Sequence, residues 1–442
     1  VGPFVPLLVL RQLRSFRRSR IAGAWRAGAT GGVLSMGGFL ERAAALARAL
    51  NSPHLVEKVQ NCFGVHRIVE NGRSGDKLRH SNGFTHRHDS TNGASSKAAT
   101  GRGGGVVLRD TSVPCRVDSA LWYYLFHFGS LLGYEMFYAT FFPFLLWNFD
   151  AAVCRRVLAV WALALYCGGV AKDVIRWPRP SSPPVVQFDR KYAAEYGMPS
   201  THAMTGASVP FGLLIFTMHR YEYSLPLGLL VCTVWCALLC TSRLYLGMHT
   251  VLDLLGGLLL AWALMLVLVP VALPVDHLLL GSPWGPLLVV GAVALLCLAY
   301  PAPREWTPAR GDSCVVLATV AGILAGEGAL FQTGWRTPPL HVQERYRLGL
   351  PHGWELVCVL LRTATGIVAS VLTRTAAKAV TYRLLCRCQG QDPRLESTRR
   401  LASIELPCKF FTYLLMGLTM ALGSPLLFAR LGIQRTVRPL DL

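Results

Sequence analysis

The sequence predicts an all-α fold, a polytopic bundle of helices in a membrane. Of its 442 residues, 52% are apolar and only 15% charged, whereas a soluble domain carries about 25% charged residues. The mean hydropathy is +0.39. The apolar residues are also gathered in runs that match the ~20 residues a helix needs to cross a bilayer. These figures exclude a disordered or collagen-like chain and argue against an ordinary soluble globule.

The first quarter differs from the rest. Residues 1 to 118 hold 18 basic and 7 acidic side chains of a chain whose net charge is +20. The opening VGPFVPLLVL followed by Arg11, Arg14, Arg17, Arg18 and Arg20 reverses the order of a secretory signal. Met36 is the first methionine and reads as a plausible start, with residues 1 to 35 an upstream extension. Residues 36–70 read as amphipathic helices, and Asn71 to Gly105 has the Gly, Ser, Asn, His and Arg-rich composition of a disordered linker. Residues 1–118 carry no motif and are expected to be a basic, largely disordered region that modulates rather than catalyses.

From Asp118 onward nine spans are expected, at about 122–147, 153–171, 202–219, 226–242, 250–270, 284–300, 313–331, 352–373 and 408–430. Two are weak: 122–147 contains Glu135 and Pro143, and 313–331 contains Glu327 and several glycines. A core at 119–275 with about five of these helices carries the chemistry, and 276–442 adds further helices. Cys167, Cys232, Cys236, Cys240, Cys297 and Cys358 sit in apolar runs and read as small buried hydrophobes. Cys386 and Cys388 have no second pair at zinc spacing. No metal or cofactor is expected, and no Gly-rich phosphate loop or nucleic-acid motif is present.

An ionisable group at membrane depth is costly, so charges beside apolar spans call for explanation. Lys172, Arg176 and Arg179 fall at i, i+4 and i+7, although Pro178 and Pro180 place Arg179 in a loop. They suit a cationic grip on phosphate; alone they also fit a positive-inside flank. Ser200 is a good N-cap for the third span, with Thr201 and His202 in its first turn, where free N–H groups face an anion and an imidazole can give up a proton. Alone this is equally a capped helix with a bystander histidine. Arg243 stands near the end of the fourth span, and His249 and Asp253 at i and i+4 open the fifth, so the carboxylate can hold the imidazole in one tautomer. Alone this is equally an ion pair at a helix start. All three places lie at span ends an even number of crossings apart, so they share one membrane face.

Lys172-x6-Arg179-Pro180, Pro199-Ser200-x-His202 and Ser242-Arg243-x5-His249-x3-Asp253 resemble the three-part signature of the type 2 phosphatidic acid phosphatase superfamily, which also includes vanadium haloperoxidases. Thr201 departs from the glycine usual there. That variant, with IRWPRP, SPPVV, MPSTHAM and FFPFLLWNFD, resembles the animal sphingosine-1-phosphate phosphatases from about Leu121 to Leu255. The resemblance implies a metal-independent phosphohistidine mechanism. His249, oriented by Asp253, would be the nucleophile and His202 the acid, with Lys172, Arg179, Ser200, Thr201 and Arg243 holding phosphate. It implies a lipid substrate, a sphingoid-base phosphate, and an endoplasmic reticulum membrane with the site lumenal. Phosphatidate, dolichyl diphosphate or glucose 6-phosphate as substrate, head-group transfer, or a non-catalytic scaffold or transporter are the alternatives. The oligomeric state is not encoded in any motif.

Overall fold

The computed structural model describes residues 36–68, 99–100, 106–108, 111–189, 195–303, 305–335, 346–347 and 353–435. It divides at Ala49 into two units. The first contributes most of helix α1 (Met36–Leu50), whose Leu40 and Leu46 are exposed. The linker expected over 71–105 lies outside the described residues, apart from two residues of strand.

The second unit begins with α2 (Pro53–Cys62), in which Val56 and Gln60, one turn apart, form the buried face. Four short strands follow, β1 (Val65–Arg67), β2 (Ala99–Thr100), β3 (Val106–Leu108) and β4 (Cys115–Val117), in an antiparallel sheet of order β1-β4-β3-β2 with Val65 and Val106 both opposite Val117. Val65, Cys115 and Val117 bury against Phe126, Val186, Tyr245, Leu246 and Met248. Residues 53–68 and 111–118, expected to belong to the N-terminal region, are therefore packed against the helices and loops that carry the motif residues. Each of these segments is too short to fold alone, and their apolar side chains are buried only against residues far along the chain.

The expected span 122–147 is two helices, α3 (Ala120–Leu131) and α4 (Glu135–Asn148). At 1.5 Å per residue each is about 20 Å long, shorter than the ~30 Å hydrocarbon layer. The break at Leu132–Tyr134 sets Tyr134 and Ser130 beside the motif residues. Helix α5 (Ala151–Ile175) is the central post, capped by Asp150, whose carboxylate accepts from Val153 N–H at 3.0 Å. Around it pack α4, α6 (Thr201–Thr217), α8 (Val251–Gly281) and α10 (Pro308–Gln332), with α7 (Leu225–Tyr245) against α3 and α6, and α9 (Gly285–Ala299) against α10. The main core joins Tyr138, Phe142, Val157 and Trp161 to Leu317, Ile323 and Met416. A two-residue parallel pair joins β5 (Tyr221–Glu222), between α6 and α7 in the chain, to β6 (Tyr346–Arg347), which follows α10. Then come α11 (Trp354–Cys388), α12 (Glu396–Arg400) and α13 (Ala402–Leu418), which runs through a π turn at Thr419–Gly423 into α14 (Ser424–Arg430).

Among the described residues six stretches, Ala151–Ile175, Leu225–Tyr245, Val251–Gly281, Pro308–Gln332, Trp354–Cys388 and Ala402–Arg430, are long and apolar enough to cross a membrane, and Gly285–Ala299 is a shorter apolar helix. The expected loop 374–407 is helical as far as Cys388, since TAAKAVTYRLLCRC holds no breaker before Gly390. Helices α10 and α13 cross at Gly322 and Gly417, where a Cβ on Gly417 would collide with the Thr319 carbonyl. Leu259, Leu266, Leu278, Leu295 and Leu298 are exposed, an outward apolar belt suited to lipid.

Glu327, which weakened the seventh span on paper, is buried beside Arg155 at 3.0 Å. Asp276 bonds both Arg155, at 2.9 Å, and Arg156, at 3.0 Å. Two guanidinium groups and two carboxylates thus cancel where α5, α8 and α10 meet, at the end of α5 remote from Lys172.

Candidate active site

Four helix ends converge. The C-terminus of α5 supplies Lys172, the loop after it Arg179, the N-terminus of α6 Ser200, Thr201 and His202, the C-terminus of α7 Arg243, and the start of α8 His249 and Asp253. The α5 helix stops because Arg176 adopts the left-handed conformation (φ 56°) ahead of Trp177-Pro178, turning the chain back across the helix end. Arg176 is exposed and bonds the Asp173 carbonyl, so it leaves the group in which the spacing had placed it.

Lys172 Nζ lies 3.0 Å from Glu195 Oε2, and Arg179 Nη2 lies 3.2 Å from the same oxygen. Arg179 also donates from Nε to the Glu195 carbonyl at 3.0 Å and from Nη1 to the Met248 carbonyl at 2.8 Å, and its Nη1 is 3.5 Å from His249 Nε2. Burial lowers the Arg179 guanidinium to about 10, so it remains charged at neutral pH. Burial alone would raise the Glu195 carboxyl, but Lys172 and Arg179 outweigh it and hold the group below its ordinary value.

Arg243 is fully buried. Its Nη1 donates to Ser130 Oγ at 2.8 Å, while Nε and Nη2 are buried without a hydrogen-bond partner. A buried guanidinium with two spare donors is a costly arrangement that an anion would relieve. Tyr134 lies under the Arg243 guanidinium, 5.8 Å away, and its hydroxyl donates to Asp189 at 3.0 Å.

Ser200 caps α6, its Oγ accepting from Ala203 N–H at 3.4 Å, and its own N–H donates to the Asp253 carbonyl at 3.0 Å. Thr201 is the first residue of the helix and half-buried. The positive end of α6 and its first-turn N–H groups therefore face the cations' pocket. The His202 and His249 rings are 6.4 Å apart, with His202 edge-on to Tyr134 at 6.0 Å.

His249 and Asp253 are not one helical turn apart on a common face, as their spacing suggested. Thr250 is the N-cap and His249 precedes the helix; Asp253 closes a capping box, accepting from Thr250 N–H at 2.7 Å while Thr250 Oγ1 accepts from Asp253 N–H at 3.2 Å. Asp253 Oδ2 is 3.7 Å from His249 Nδ1, just beyond a hydrogen bond, and His249 Nδ1 and Asp253 Oδ1 are buried without another partner. Burial, with Arg179, Lys172 and Arg243 close by, pushes the His249 imidazole well below its ordinary value. It is a neutral base at neutral pH.

Of the nine residues singled out from the sequence, all but Arg176 are within this group of helix ends. Glu195, Ser130 and Tyr134 were missed. A lone acid in the YAAEYGMPS stretch carries no spacing signal, and Ser130 and Tyr134 lay inside what read as one apolar span.

The PAP2 superfamily profile matches residues 154–274, from within α5 to within α8. Sphingosine-1-phosphate phosphatase 2 of Homo sapiens is 38% identical over 76% of this chain and 87% of its own length. The Mus musculus sphingosine-1-phosphate phosphatase 2 is 40% identical over 72% and 90% respectively. Sphingosine-1-phosphate phosphatase 1 of Rattus norvegicus is 35% identical over 72% and 74%. No solved structure matches. With these likenesses covering the cationic pocket, both histidines and the surrounding helices, the chain belongs to the PAP2 superfamily and, within it, to the sphingosine-1-phosphate phosphatase family.

Proposed function

We propose that this protein is a phosphoric monoester hydrolase that removes the phosphate from sphingoid-base phosphates within a membrane. The observation that carries the reading is Arg243, wholly buried with two spare donors beside Lys172 and Arg179: a dry, cation-rich pocket suited to a phosphate dianion. The relatives' names supply the sphingoid base.

In the mechanism we infer, neutral His249 attacks phosphorus through Nε2 while Nδ1–H closes onto Asp253, a contact of 3.7 Å that would tighten as charge develops on the ring. The P–N bond forms as the ester P–O bond breaks, and His202 gives its proton to the departing alkoxide. Water deprotonated by His202 then attacks the phosphohistidine and releases inorganic phosphate. Lys172, Arg179, Arg243 and the α6 N-terminus, with Ser200 and Thr201, neutralise the equatorial oxygens throughout. The lipid chain would leave the pocket among the apolar helices. Phosphate release from sphingosine-1-phosphate, compared with phosphatidate, by purified protein in detergent tests this. Faster release from phosphatidate would assign another lipid substrate.

We place the enzyme in the endoplasmic reticulum membrane with its site lumenal, on the strength of the family resemblance. Charge argues for the opposite face. Gln60 and β4 pack on the site's loops, and Arg400 stacks on Trp306, next to Thr307, whose hydroxyl bonds Asp173 beside Lys172. Basic segments therefore lie on the site's side, where the positive-inside rule would put cytosol. A glycosylation acceptor inserted between the exposed Pro301 and Ala302 should be modified in microsomes. An unmodified acceptor that protease reaches from outside sealed vesicles would overturn the lumenal placement.

A further inference from the structure

We infer that Glu195 is the residue that selects an amine-bearing substrate, its carboxylate receiving the ammonium group next to the phosphate ester. The inference rests on the phosphatase reading above and assigns its specificity.

The argument begins with charge. The buried centre of the site holds three cations, Lys172, Arg179 and Arg243, and two carboxylates, Glu195 and Asp253. Asp253 is committed to the Thr250 cap and to His249. Glu195 has no such duty: its side chain is only 12% exposed, and its Oε2 sits where a phosphate oxygen would sit, on Lys172 and Arg179 together. A phosphate dianion that takes over Lys172 and Arg179 displaces Glu195 from both cations and sets itself against that carboxylate in a dry site, where like charges are strongly unfavourable.

A sphingoid-base phosphate enters as a dianion with its own cation. Its ammonium nitrogen is four bonds from phosphorus, so the two charges arrive side by side. When phosphate oxygens take over Lys172 and Arg179, the displaced Glu195 carboxylate lies at the edge of the phosphate, where that ammonium must be. The ammonium then stands between the two anions, whereas a lipid phosphate lacking the amine leaves Glu195 facing phosphate with no cation between them. Asp189, the other carboxylate nearby, is half-exposed and accepts from Tyr134, which makes it a rim group.

The test uses the full-length protein in detergent and three substrates of matched chain length: sphingosine-1-phosphate, its N-acetyl derivative and a 1-acylglycerol 3-phosphate. Wild type should favour the free amine in kcat/KM over both others. Glu195→Gln should shrink that preference at least tenfold, by losing rate on the amine and relatively sparing the other two, whereas Glu195→Asp should keep much of it. An equal fall on all three substrates, or a loss of preference in Asp189→Asn and not in Glu195→Gln, would overturn the assignment. So would a wild type that releases phosphate from all three equally, whatever the variants do. A wild type that releases phosphate from none would remove the phosphatase reading itself.

Discussion

The Gln60 side-chain amide donates to the Tyr245 carbonyl at 2.8 Å across 185 residues of sequence. It also donates to the Val186 carbonyl at 2.7 Å and accepts from Val186 N–H at 3.0 Å. One buried amide thereby ties the loop that carries Arg179 to the end of the helix that carries Arg243. Two residues on, Gly247 takes φ +69°, and a Cβ there would collide with the Val186 carbonyl. Met248, whose carbonyl holds Arg179, and His249 follow directly. Gln60→Ala would orphan buried backbone groups at ~1–3 kcal/mol each. It should cut kcat at least tenfold and weaken vanadate inhibition together with it, while the thermal midpoint drops modestly. A fall in thermal stability with kcat intact would show that Gln60 only holds the fold. A chain beginning near Val113 should likewise lose most activity, contrary to the dispensability that the motif-free sequence suggested; one beginning at Asn51 should keep it.

Replacing His249 by Ala should abolish turnover. Rapid quench with labelled substrate should trap acid-labile, base-stable phosphate on wild type and none on His249→Ala. His202→Ala should still form the phosphoenzyme with substrates whose leaving group needs no proton. Label on His249→Ala would reassign the nucleophile.

Because burial and three cations depress the His249 imidazole, falling pH protonates it late. Activity that needs the neutral ring is therefore retained below pH 6.5. The acid limb of kcat/KM, after the substrate's own phosphate ionisation at about pH 6 is divided out, should lie well under that value. A limb at or above 6.5 would mean that the nucleophile is not in this environment.

In the proposed mechanism side-chain cations meet the charge on the transferring group, and among the described residues no three His, Cys, Asp or Glu gather to hold a metal. Activity should survive strong chelation, and vanadate should inhibit as a five-coordinate mimic. EDTA inactivation reversed by Mg²⁺ would require another mechanism. Arg179→Lys should lose most activity, since one ammonium cannot reach the Glu195 carbonyl, the Met248 carbonyl and phosphate together.

Glu327→Ala leaves Arg155 buried with an ion pair only to Asp276, which it shares with Arg156, and should destabilise the bundle by ~3–5 kcal/mol. Glu327→Gln, which keeps a hydrogen-bond acceptor, should recover part of that. Detergent unfolding midpoints measure both; an unchanged midpoint in Glu327→Ala would mean that the pair contributes nothing.

Apolar runs and the spacing of polar residues at their ends are local properties, and the sequence alone determined what depends on them: a helical fold with bilayer-length segments, and the set Lys172, Arg179, Ser200, Thr201, His202, Arg243, His249 and Asp253. The tertiary structure decided what depends on long-range meetings. It broke 122–147 into two helices so that Ser130 and Tyr134 reach Arg243, and it tied Pro53–Cys62 to the loops of the candidate site through Gln60. It turned Arg176 outward and made the His249–Asp253 relation a capping box rather than a helical face. It matched Glu327 with Arg155 and set Glu195 between Lys172 and Arg179. None of these pairings has a period or a spacing to read, because buried charges and amides choose partners by which chain segments share a dry volume, and only the packed bundle defines that volume.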